Sequence, residues 1–206
     1  MNQLNEQLRT LRLGHAAKGL EQQREQLSTY AELTFEERLS LLLESEVLGR
    51  SRARIERLKR QAKLRIDASP NQLIYKEDRG LKRIQISELL TGSYLLKHQN
   101  ILITGPTGAG KTYVACALAT QACEQTYSVR YYRLSRLLDD LSSGRLDGSY
   151  QKQLLALSKK QLLVIDDWGM EKMSQEPMPE VLSVEEHLPM HLVCLSMRLV
   201  RRWSAG

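Results

Sequence analysis

The chain has 206 residues, of which 42% are hydrophobic and 26% charged, and a formal net charge of +6. That length allows one or two domains with a real core, and the composition excludes disordered and collagen-like classes. No apolar run is long enough to span a membrane, the polar start MNQLNEQLRTLRLGH has no signal-peptide core, and three cysteines fit a reducing compartment, so a cytoplasmic location without a membrane role is expected.

Leu4, Leu8, Leu11 and Ala16 begin an apolar stripe that Leu20 and Leu27 extend, which predicts a helical start. A second helix is predicted from Thr34, where Thr34 and Glu37 form a capping box and Leu39, Leu42, Leu43 and Val47 form the buried side. A third helix is predicted over 48–66, with eight basic residues against the single acid Glu56. Leu48, Ile55, Leu58, Ala62 and Ile66 share one stripe there, and Arg50, Arg54, Arg57 and Arg65 cluster beside it. That arrangement reads either as a grip on a DNA phosphate backbone or as a solvated basic face. Ser69-Pro70 is expected to stop the helix, closing an all-α N-terminal domain at residues 1–70.

Residues 71–98 read as a linker into a second domain, 99–206, and His98-Gln99-Asn100 is a candidate wall for a purine base. Ile101-Leu102-Ile103-Thr104 is short, apolar and β-branched, as a buried parallel strand is. GPTGAGKT follows: Gly105, Pro106, Thr107, Gly108, Ala109, Gly110, Lys111 and Thr112. This is the pattern G-x-x-x-x-G-K-[ST], in which a glycine-rich turn lets backbone N–H groups surround a triphosphate. Lys111 is expected to reach the β- and γ-phosphates, and Thr112 to offer its hydroxyl to Mg²⁺. YVACALATQAC then predicts a helix whose N-terminus adds partial positive charge. Cys116 and Cys123 on that helix lie about 10 Å apart at 1.5 Å rise per residue, too far for a disulfide, and read as core filler.

Residues 128–133 predict a second strand, 134–141 and 150–160 helices, and Asp147-Gly148-Ser149 a turn between them. Leu162-Leu163-Val164-Ile165 predicts a third strand, ending in Asp166 and Asp167. A strand end is where an α/β sheet delivers a carboxylate beside a metal, so Asp166 is the expected Mg²⁺ ligand and Asp167 the residue that orients an attacking water. Lys111, Asp166 and Asp167 are thus the candidate catalytic residues, and ATP with Mg²⁺ the candidate cofactors.

GPTGAGKT, SVRYYRLSRLLDDL, DGSY and LLVIDDWG occur in order, after LRTLRLGHAAKGLEQQ and LTFEERLSLLLESE. Together they resemble the IstB-like family, ATP-binding helpers of bacterial transposons related to DnaC-type helicase loaders within the AAA+ class. The resemblance implies an α/β fold: an AAA+ P-loop domain with a parallel sheet, behind a small helical domain. It implies assembly of copies on DNA and assistance to a transposase. The alternative partner is a replicative helicase, and a further alternative is an inactive DNA-binding fragment. The family also suggests Arg133 and Arg136 as DNA contacts, although a solvated helix face accounts for them equally. Asp167 stands where many AAA+ proteins carry glutamate. The quoted pattern stops near Met173, and 174–206 read as an atypical tail, so a truncated or frame-shifted copy with incomplete sheet and impaired hydrolysis is expected. In that tail His191-Leu192-Val193-Cys194-Leu195-Ser196 is one candidate strand, with Ser196 near the family's polar sensor position.

Overall fold

A computed structural model describes residues 3–75, 82–168 and 191–196, the last six and Trp168 by their backbone only. The chain divides into two compact units, residues 1–57 and 58–206.

In the first unit the expected helical start is three pieces, α1 (Gln3–Thr10), α2 (Gly14–Glu25) and α3 (Leu27–Tyr30). Arg12, with φ 59°, interrupts the stripe in the left-handed region, and Leu11 and Leu27 are exposed while Ala16 and Leu20 are buried. The second and third predicted helices are one, α4 (Phe35–Ala62), because no breaker separates Val47 from Leu48. Its start is the predicted capping box: the Thr34 N–H donates to Glu37 Oε2 at 2.8 Å and the Glu37 N–H to Thr34 Oγ1 at 3.3 Å.

The buried side of α4 differs from the expected stripe. Leu39, Leu43 and Val47 are 41%, 52% and 67% exposed. The ridge that meets α2 is Leu42, Ser45, Glu46 and Gly49, lying against Gly19 and His15. Small residues let the two backbones approach, and a Cβ on Gly49 would run into the His15 imidazole. Glu46, only 4% exposed, accepts the backbone N–H groups of His15 at 2.8 Å and Ala16 at 2.9 Å. These are orphan donors of the first turn of α2, so a carboxylate from another helix caps it. Arg50 completes the arrangement, 2.7 Å from Glu46 and donating to the Arg12 carbonyl at 2.8 Å.

Burial alone would raise the Glu46 carboxyl, but the bonds from Ala16, Arg50 and His15 outweigh it and hold the group below its ordinary 4.5. A depressed folded value stabilises the fold above the unfolded value and loses that contribution as pH falls through the folded one. Glu46→Ala is therefore expected to cost about 2 kcal/mol at neutral pH. In denaturant melts the gap to wild type should close as pH drops below 4.5. A gap that persists unchanged into acid would contradict this role.

The boundary between units falls inside α4 rather than at residue 70, because the last turn of that helix belongs to the second core. Leu58 and Ala62 pack there with Ala68 and Leu73. Lys59 pairs with Glu124 at 2.9 Å, and Arg130 donates to the Gln61 carbonyl at 3.1 Å. By contrast Leu48 and Ile66, from the same predicted stripe, are exposed. The helix stops at Lys63, whose φ of 51° is the left-handed geometry of a helix C-terminus, well before Pro70. The expected linker holds a 3-10 turn (Pro70–Gln72), α5 (Arg83–Leu90) and α6 (Ser93–Leu96).

The second unit is built on β1 (Ile101–Thr104), α7 (Lys111–Glu124), β2 (Val129–Arg133), α8 (Leu134–Asp147), α9 (Tyr150–Ser158), β3 (Leu162–Trp168) and β4 (His191–Ser196). All pairings are parallel, in the order β1-β4-β3-β2. The candidate strand at His191–Ser196 therefore forms, and it lies between the strands that carry the two motifs. Ser196 stands in register with Thr104 on one side and Trp168 on the other. The rest of the expected tail lies outside the described residues.

Alternation along β3 makes this unit three layers. Leu162 and Val164 face the core around α7, and Leu163 and Ile165 face the core of α8 and α9. Cys116 and Cys123 fill the α7 core as expected, and burial pushes the Cys123 thiol up to about 11, so it stays inert.

Candidate functional site

The loop between β1 and α7 is shaped by its glycines. Gly108 and Gly110 have φ of 79° and 87°, where a side chain is strained, although a Cβ on either would meet open space. Backbone conformation, not room, requires glycine here. Gly110 caps α7, and the helix N-terminus opens toward the loop. Lys111 folds back over the turn, donating from Nζ to the carbonyls of Gly105 at 2.9 Å and Pro106 at 2.8 Å.

Thr112 meets the end of β3. Its Oγ1 donates to Asp166 Oδ2 at 3.1 Å. Asp166 is 3% exposed, and the same Oδ2 accepts the Tyr131 hydroxyl at 2.6 Å and lies 3.5 Å from Arg65 Nη1. Asp166 Oδ1 accepts the backbone N–H of Asp167 at 2.9 Å. Burial first, and then the bond to Asp166, push the Tyr131 phenol far up, so it remains a donor.

The pairing of β3 with β4 shifts register between Ile165 and Trp168, which puts both acids in an irregular step. Asp167 there has φ 64°, a strained conformation for a non-glycine residue and one that gathers at functional sites. Its Oδ2 is 3.8 Å from Arg133 Nε.

These groups enclose one cavity of about 390 Å³. Thr107, Gly108, Gly110, Lys111 and Thr112 line it on the loop side, and Asp166, Asp167, Arg65 and Arg133 complete the lining. Three cations against two carboxylates suit a polyanion accompanied by a metal. A second cavity of about 360 Å³ adjoins at Gly110, lined by Gln72, Leu73, Ile74 and Tyr113 among others. The Tyr113 hydroxyl donates to Gln72 Oε1 at 3.1 Å. The lining comes from 72–74 and from the loop and first turn of α7, and His98-Gln99-Asn100 does not contribute to it.

Most of the residues expected for phosphate and metal thus converge. Arg65 and Tyr131 join them without having been expected there: Arg65 was one cation in a basic run, and Tyr131 one inward position of a strand. The arginines expected at DNA separate. Arg133 lines the same cavity beside Asp167, and Arg136 is exposed on α8, 3.1 Å from Asp140. Arg50 is tied to Glu46, whereas Arg54 and Arg57 are exposed.

A parallel sheet with a glycine-rich loop after β1, an acid pair near the end of β3, and β4 between β1 and β3 has the P-loop fold of the AAA+ class. The fold agrees with solved members. The chain is similar to AMPPCP-bound DnaA from Aquifex aeolicus at TM-score 0.58 and 21% identity, covering 66% of this chain and 43% of that one. It is similar to the DnaC helicase loader at TM-score 0.57 and 19% identity, covering 68% and 82%.

The profile of the family "IstB-like ATP binding protein" matches residues 6–203, and the chain belongs to that family. The match continues some thirty residues past Met173, where the legible motifs stop. The chain is 41% identical, over 86% of its length and 77% of the relative's, to the "Insertion sequence IS1162 putative ATP-binding protein" of Pseudomonas fluorescens. It is 38% identical, over 75% of its length and 63% of the relative's, to the "Putative insertion sequence ATP-binding protein y4pL" of Sinorhizobium fredii.

Proposed function

We propose that the chain binds ATP with Mg²⁺ at this cavity and acts, with copies of itself on DNA, as the helper of an insertion-sequence transposase. The observation that carries the nucleotide reading is the convergence of Lys111, Thr112 and Asp166 on one cavity. The backbone N–H groups of 107–112 and the Lys111 ammonium would hold the triphosphate, and the cavity lined by Leu73, Ile74 and Tyr113 would take the purine.

The residues fit Mg²⁺. The Thr112 hydroxyl and the Asp166 carboxylate are hard oxygen donors 3.1 Å apart, and Mg²⁺ needs only one or two protein ligands beside phosphate and water. When bound, the metal neutralises charge on the phosphate oxygens. Asp167 orients water toward the terminal phosphate, and Arg133 holds Asp167 in position.

DNA is held through its backbone by Arg54 and Arg57 on α4, and separately by Arg136, while Arg50 has a structural role at Glu46. A transposase is preferred to a replicative helicase as partner because the sequence relatives are insertion-sequence proteins. No helix among the described residues is long and apolar enough to cross a membrane, and the proposed place of action is the cytoplasm.

The test measures ATP binding and ATP turnover separately, with and without duplex DNA, on the full chain. Saturable ATP binding is expected, with the weak turnover that the sequence implies. Binding unaffected by any change in the loop would overturn the reading.

A further inference from the structure

The cation least explained by the proposed function is Arg65. It follows α4 directly, and the left-handed turn at Lys63 sends the chain back toward the sheet. Leu64, just before it, packs into the α7 core. The base of the side chain is therefore fixed. Its head is 44% exposed.

The guanidinium reaches Asp166 Oδ2, the oxygen that also takes the Thr112 and Tyr131 hydroxyls. Tyr131 is buried and stays. A cation binding between Thr112 and Asp166 must instead compete with Arg65 for the same oxygen, since a carboxylate oxygen has few lone pairs and two adjacent cations repel.

We propose that Arg65 is a positioning residue that occupies the metal-side carboxylate when no metal is present and is displaced by Mg²⁺, so that it sets the metal concentration at which the site loads. The inference rests on the proposed ATP site. Asp166 is nearly buried, and Arg65 supplies the only charge-bearing partner shown for it among the described residues, so the acid does not stand as an unpaired buried charge.

The test is a titration of Mg²⁺ into the full chain with a fluorescent ATP analogue, beside a titration of Mn²⁺ into the nucleotide-free chain followed by electron paramagnetic resonance. Arg65→Ala is expected to lower the half-saturating metal concentration roughly three- to tenfold in both, the range of one half-exposed ion pair. Arg65→Lys, which keeps the charge, should restore most of the wild-type requirement. In an Asp166→Asn background the Arg65 substitution should have no effect, which a merely structural role would not predict.

If metal requirement is unchanged in both titrations, the proposal is overturned. It is equally overturned if Arg65→Ala raises the requirement and weakens nucleotide binding, because Arg65 would then be a phosphate ligand. If neither protein binds the analogue while the Mn²⁺ shift persists, Arg65 keeps its role and the ATP reading fails.

Discussion

Lys111→Ala is expected to lower ATP affinity about 100-fold without unfolding the chain. In the structure the ammonium serves the carbonyls of Gly105 and Pro106, at 2.9 Å and 2.8 Å. Pro106 is exposed and Gly105 half-buried, so water replaces the lysine at little cost, and thermal melts should stay close to wild type. A bound triphosphate has no such substitute. Charge-assisted bonds contribute about 1.5–3 kcal/mol each, and about 3 kcal/mol for the lysine corresponds to about two decades in affinity. Binding of a fluorescent ATP analogue together with a circular-dichroism melt separates the two effects. A variant that binds as tightly as wild type would mean that phosphate does not sit on this loop.

The second large effect is expected at DNA. Arg54 and Arg57 lie one turn apart on the exposed side of α4. If each neutralises a phosphate, the slope of log affinity against log salt contains about 0.9 for each. Arg54→Glu with Arg57→Glu is expected to remove close to two from that slope and to lower affinity about 100-fold at low salt, less at high salt. Arg50→Ala should do less to the slope and more to stability, because Arg50 holds the Glu46 cap. An unchanged slope in the double variant would identify the basic run as a solvated face.

The site was legible where chemistry is written locally. GPTGAGKT and the acids after LLVI are constraints of spacing, and the structure brings Lys111, Thr112 and Asp166 together as the spacing implies. What failed was decided by packing. Periodicity marked Leu39, Leu43 and Val47 as the buried side of α4, but the contact with α2 selects the small and polar ridge of Ser45, Glu46 and Gly49, because close backbones exclude large side chains. Helix continuity through Val47 and Leu48 was hidden by the change from apolar to basic composition, which alters the solvent face and not the backbone. Ser69-Pro70 was a sound stop signal, yet the chain had already turned at Lys63, a residue type with no preference for that geometry.

β4 was ambiguous because a run of four apolar residues cannot reveal that it lies in the middle of a sheet. Its register between β1 and β3 is a tertiary fact. So are Arg65 and Tyr131 at Asp166, and the displacement of Arg133 from the expected DNA surface to the cavity wall. One arginine in a basic run looks like the next until the fold sets a carboxylate in front of it.

The central claim is that the cavity between the loop and Asp166 takes ATP with Mg²⁺. Calorimetric titration of ATP into the full chain, with Mg²⁺ and then with chelator, tests it most directly. One saturable site per chain is expected, weaker when the metal is removed. A folded chain that gives no saturable binding at millimolar ATP, or binds equally with and without Mg²⁺, would contradict it.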